Sequence, residues 1–153
     1  MNKSITALVA STLVAAALVL APSTANAQLT GSMQLAFADR GHHLIGRGAF
    51  ATLTAEVVCT FPGNFEFSDG QAFLRQAQGR ELVDGGGDLT VSSADCDGTP
   101  HSVNVTVAPQ NAPFRPGLAV VIGTVRVCFS DPATGEFGCA SDTDGPKEIF
   151  LSP

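Results

Sequence analysis

The stretch Ala49–Phe61, A-F-A-T-L-T-A-E-V-V-C-T-F, leaves the chain little choice of local structure. Leu53, Ala55, Val57, Cys59 and Phe61 fall on one side of an extended backbone, and Thr52, Thr54, Glu56 and Thr60 on the other. A period of two belongs to a strand with one buried and one wet face. Cys59 lies on the buried side, so the pattern asks for a second cysteine across a core.

The N-terminus reads as an address. Met1-Asn2-Lys3 is a short basic start, Ile5 to Leu20 is apolar apart from small Ser and Thr, and Ala25-Asn26-Ala27 is an A-x-A site. These are the three parts of a secretory signal peptide, with cleavage expected before Gln28. The expected organisation is a leader over residues 1–27 and a single domain over 28–153. The expected location is outside the cell, with no membrane attachment after cleavage.

The remaining chain is long enough for a core of its own. Without Lys3 it holds 7 basic residues against 14 acidic ones. No basic patch is available to release counterions from a polyanion, which argues against nucleic acid as a partner.

All four cysteines lie in this exported part, an even number that suggests two disulfides. Strand parity chooses among the three pairings. In Leu118–Phe129, Val125, Val127 and Phe129 form the apolar set, so Cys128 shares the solvent side with Thr124 and Arg126. Cys139 follows soon after, across a Pro- and Gly-containing turn. Cys128–Cys139 would close a hairpin on its outer face, leaving Cys59–Cys96 as the core link. The cysteines lack C-x-x-C spacing and histidine neighbours, so zinc is the weaker reading.

Along the rest of the chain, short β-rich runs alternate with turn residues. Strands are expected over Gln28–Ala38, His43–Ile45, Phe65–Gln78 (with a bulge near Ser68-Asp69-Gly70), Arg80–Val83, Ser102–Ala108, Leu118–Phe129, Glu136–Ser141 and Lys147–Leu151. Asp84-Gly85-Gly86-Gly87-Asp88 is expected to break the chain, Pro109–Gly117 to be irregular, and Ser141–Pro146 to be a polar turn. No segment holds a helical period. The expectation is therefore all-β: an immunoglobulin-like antiparallel sandwich of about seven to nine strands, with a small closed barrel as the alternative.

The order of these features carries a resemblance. A strand ends in Cys59, a return strand ends Gln76-Ala77-Gln78-Gly79-Arg80, and a Gly-rich link leads to Cys96-Asp97-Gly98. A Val-alternating strand, Phe114-Arg115-Pro116-Gly117 and a terminal hairpin follow. The chain resembles small, uncharacterised secreted Ig-like proteins of actinobacteria, and more distantly the neocarzinostatin group of chromophore carriers. The first likeness implies export and fold; the second implies a small-molecule carrier.

Chemistry-bearing motifs are few. There is no G-x-S-x-G, H-E-x-x-H or G-x-x-x-x-G-K. His42-His43 would point to opposite strand faces, and His101 stands apart. Asp142-Thr143-Asp144-Gly145 has the oxygen-rich character of a calcium loop without EF-hand register. No catalytic residue, metal ligand or cofactor is nominated; the nominated residues are the disulfide cysteines Cys59, Cys96, Cys128 and Cys139. The function expected is non-enzymatic binding of an unidentified extracellular protein or small molecule, through loops Pro109–Gly117 and Asp84–Asp88. The alternatives are a chromoprotein-type carrier and, third, an exported hydrolase.

Overall fold

The computed structural model describes residues 29–153, so the leader expected over residues 1–27 lies outside the described residues. Eight strands follow in order: β1 (Ser32–Phe37), β2 (His42–Ile45), β3 (Phe50–Thr60), β4 (Asn64–Gln78), β5 (Glu81–Asp88), β6 (His101–Pro109), β7 (Gly117–Ser130) and β8 (Phe137–Ser152). One 3-10 turn, Ser93–Asp95, interrupts the β5–β6 connection. The all-β expectation holds, and the strand count falls within the expected range.

Strand β3 behaves as its alternation requires. Ala51, Leu53, Ala55, Val57 and Cys59 are buried, while the intervening side chains reach toward solvent. It pairs with β6 along one edge, from Ala51↔Val107 to Val57↔His101. Along the other edge it pairs first with β1 and then with β2. These two strands are one extended stretch broken by the turn at Asp39-Arg40-Gly41.

Strands β8, β7, β4 and β5 form the second layer, joined by long antiparallel ladders. Two-residue ladders connect the layers at their edges: β5 to β6 on one side, and β2 to β8, in parallel, on the other. Hydrogen bonding therefore runs as a circuit flattened into a sandwich. Phe37 of β1 lies over Gly123 of β7, where an added Cβ would sit 2.6 Å from the ring. Phe37, Phe114, Leu53, Leu74, Val57, Val83, Val105, Ile149 and Leu151 fill the space between layers.

Both disulfides join the cysteines that parity selected. Cys59–Cys96 ties β3 to the segment after the 3-10 turn, with Cα atoms 4.5 Å apart. Cys128 and Cys139 are direct ladder partners on β7 and β8, 4.1 Å apart. Cys128 is nevertheless fully buried and not solvent-facing as its parity suggested. It lies between Cys139 and its other ladder partner, Phe67, and Phe67 stacks on Phe137 at 6.3 Å.

Three local expectations are overturned. The segment Asp84–Asp88 does not break the chain; β5 runs straight through its three glycines. Gly85 and Gly87 are needed because a Cβ would meet Ala108 O at 2.6 Å and Thr106 O at 2.1 Å. Ser141–Pro146 is likewise not a turn but the middle of the sixteen-residue β8. The chain absorbs Pro146 at a register shift opposite Val121–Gly123, a position that asks no ladder bond of a proline. The β4 irregularity falls between Phe65 and Phe67, earlier than Ser68-Asp69-Gly70. Gly70 instead lets Leu89 pass close by, accepting a hydrogen bond from its amide at 3.0 Å.

Candidate binding face

The two layers present different outer surfaces. Outside β3 and β6 stand Thr52, Thr54, Glu56, Thr60, Ser102, Asn104 and Thr106, with Thr54 donating to Asn104 Oδ1 at 3.2 Å. Phe50 and its ladder partner Ile45 are the large exposed apolar side chains on this layer, together at the strand's end.

On the opposite layer, the corresponding outward positions of β7 are Leu118, Val120 and Ile122, exposed by 66%, 38% and 40%. Ladder register places Phe150 beside Leu118 and Phe73 beside Ile122, while Leu82 stands beside Ala77 at the β4–β5 end. Phe73, Leu82 and Phe150 are each about half exposed. Six large apolar side chains thus share one sheet face. An exposed patch of this kind marks an interaction surface more often than chance.

The patch is shaped as well as apolar. Phe73, Val120, Ile122 and Pro146 line a groove of about 520 Å³ floored by Leu74 and Gly85 and edged by Gln110. One ion pair crosses it, Arg75 Nε to Asp84 Oδ1 at 2.5 Å. Further along, the face turns polar. Arg126 makes two hydrogen bonds to Asp69, at 2.9 and 3.1 Å, within a depression of about 690 Å³ that Gln71, Asp88, Thr90 and Ser141 also line.

Of the two loops nominated from sequence, one is a strand and the other is anchored at its middle. Asp84–Asp88 is strand. The Pro109–Gly117 segment is irregular as expected, but its Phe114 is buried in the core and its amide donates to Gly48 O at 2.9 Å. Asn111 closes the outer edge of β5, accepting from Asp84 N and donating to Leu82 O at 2.7 Å.

Asp142 and Asp144 are committed to the protein. Their carboxylates accept the Leu35 and Phe37 amides at 2.8 and 2.7 Å, serving the edge of β1 that no strand pairs. Among the described residues no three His, Cys, Asp or Glu side chains group as a metal site, and all four cysteines are oxidised.

The histidines lie apart. His42 is buried between Ala38 O and Thr54 N. His43 faces outward, as adjacent strand positions require, and meets Ser152 Oγ at 2.8 Å. His101 pairs with Asp97 at 2.9 Å. That contact and, above all, the Thr99 hydroxyl hold the Asp97 carboxyl far below the usual range.

Sequence reasoning missed the apolar face, although a signal existed. Leu118-Ala119-Val120-Val121-Ile122 is apolar at both parities. A strand with one wet face would have alternated. In comparison with known proteins, no family model, no curated protein and no solved structure matches the chain.

Proposed function

We propose that the chain is a secreted, non-enzymatic, disulfide-stabilised sandwich of the immunoglobulin-like kind that works as a binding or interaction module outside the cell. The observation that supports this is the contrast between its outer faces. One is rich in threonine and serine; the other carries a patch of six large apolar side chains around the Arg75–Asp84 ion pair, with Glu148 beside Val120. A chain selected only for stability gains nothing from holding Leu118 and Phe150 in water. The two disulfides suit an oxidising exterior. The resemblance to secreted actinobacterial proteins belongs to the same reading.

The test is capture. Immobilised protein is exposed to culture supernatant and cell-surface extract beside an Ile122→Asp variant. Recovery of a specific binder by the native chain alone supports the reading. Equal recovery by both removes the face from it.

The groove favours a second reading, the small-molecule carrier. Its volume of about 520 Å³ falls within the range of ligand sites. Saturable, stoichiometric binding of an apolar fluorescent dye, lost in Phe73→Asp, would favour it over a protein partner.

A further inference from the structure

We propose that the occupant of the apolar face is a second copy of this chain, packed sheet to sheet across Phe73, Leu82, Leu118, Val120, Ile122 and Phe150. This rests on the reading of that face as an interaction surface and names its partner.

Area is the first argument. Large apolar side chains carry on the order of 200 Å² each. With roughly half of each exposed, the six offer on the order of 600 Å², about three quarters of the ~800 Å² one partner contributes to a standard interface. Pro146, the Arg75 stem and the polar margin at Gln71, Thr124 and Gln110 can supply the remainder. An apolar centre with a polar margin is the usual anatomy of such an interface.

Shape and edges are the second. A sheet face is broad and lightly twisted, and another sheet face about 10 Å away fits it best. Edge-on association is opposed at several edges. Asp142 and Asp144 occupy the free amides of β1, Asn111 occupies the free groups at the outer edge of β5, and short ladders join the layers elsewhere. An extended peptide adding as a strand would find these donors and acceptors taken.

Charge is the third. Among the described residues Arg75 is the cation within the patch and is already paired with Asp84, while Glu148, the ladder partner of Val120, stands exposed on the same face. One carboxylate, Glu148, gives a strongly basic partner little more hold here than on the acidic chain generally. A face that is otherwise apolar is complementary to itself. Two copies of a chain with net charge −6 repel at long range, so added salt should strengthen this association, whereas it would weaken binding of a cationic partner.

The experiment is sedimentation equilibrium of the purified, oxidised protein from about 1 μM to about 1 mM, at low and high salt. Expected is a dimer tightened by salt. Phe73→Asp with Ile122→Asp should raise its dissociation constant at least about a hundredfold, leaving the far-UV spectrum and unfolding midpoint near native. Ser102→Asp, on the polar face, should leave it unchanged. Phe150→Lys, at the patch margin, provides a second variant should the double one misfold. A native chain monomeric throughout that range, or a dimer indifferent to these substitutions, overturns the proposal. A monomer that still loses capture of another partner through Ile122→Asp overturns the dimer alone and leaves the binding function standing.

Discussion

The Gln76 carboxamide and the Arg115 backbone form a two-way pair: Nε2 donates to Arg115 O at 2.7 Å, and Oε1 accepts from Arg115 N at 2.9 Å. Gln76 is 3% exposed, so both bonds are partly shielded from water. Gln78 buttresses the pair, donating to Gln76 Oε1 at 2.8 Å and to Pro113 O at 3.0 Å. A strand thereby holds an irregular, proline-rich loop in place and seats Phe114 in the core.

Gln76→Ala should therefore cost stability beyond the loss of its own packing. It strands an amide and a carbonyl in a partly buried place, a penalty of about 1–3 kcal/mol for the two together. Chemical denaturation at neutral pH measures it. Hydrogen exchange should report faster opening of residues 110–116 in the variant. A cost below about 0.5 kcal/mol would mean that water replaces the side chain freely.

The three glycines of β5 should divide in their response to alanine. At Gly87 a Cβ would stand 2.1 Å from Thr106 O, and at Gly85 2.6 Å from both Ala108 O and the Phe114 ring. At Gly86 the nearest atoms are 3.7 Å away on Phe73. Gly87→Ala should destabilise by roughly 2 kcal/mol or more, because backbone must move. Gly86→Ala should be neutral or stabilising by up to about 1 kcal/mol, since glycine in a strand gives up entropy without gain. Equal losses at both positions would contradict the close approach of β6.

How much was legible in the sequence follows from where the decisive contacts lie. The alternation of β3 and of Val103–Val107 was readable because burial there is decided strand by strand. Val105 and Val107 are buried as their parity required, and Val103 is partly covered. The cysteine pairing was readable from the face each strand position takes, but the burial of Cys128 was not, because its neighbour Phe67 comes from another strand. Gly85–Gly87 was misread because glycine signals a turn and a close backbone approach alike, and only the neighbour at Thr106 distinguishes them. Ser141–Pro146 was misread because its carboxylates pass for solvent-facing groups. Their partners, Leu35 and Phe37, are 107 residues away. The apolar face escaped notice since Phe73, Leu82, Ile122 and Phe150 come from four strands and join only through register.

Those carboxylates lead to a third expectation. Asp144→Ala leaves the Phe37 amide without a partner at the seam between β1 and β8, and Asp142→Ala does so for Leu35. Each should destabilise by about 1–3 kcal/mol, the range for a charged acceptor lost from a partly buried amide. Calcium at millimolar concentration should not raise the native unfolding midpoint, because one oxygen of each carboxylate already accepts an amide proton. A calcium-dependent rise abolished by Asp142→Ala would reverse that assignment.

His42 makes folding sensitive to mild acid. The imidazole is fully buried; with Nδ1 accepting from Thr54 N at 3.2 Å, Nε2 carries the proton and donates to Ala38 O at 2.8 Å. A second ring proton would oppose the Thr54 amide. Burial is the largest cause pushing the His42 pKa below its ordinary 6.5; the Ala38 carbonyl and Asp39 pull it up, while Lys147 and His43 push it down. Above pH 6.5 the ring is neutral in folded and unfolded chains alike, and its full contribution is present. As pH falls below 6.5 the unfolded chain takes up the proton first, so stability declines until the lowered folded value is reached and then levels off. The carboxylates of Asp39, Asp95 and Asp97, with values lowered from 3.8, release their stabilisation only in a separate window, as pH falls below about 4. Unfolding free energy measured between about pH 7 and 5 should thus fall for the native chain. It should stay flatter in His42→Gln, which is less stable overall but has no proton to gain there. A native profile as flat as the variant's would show that His42 takes up its proton without opening the Ala38–Thr54 contact.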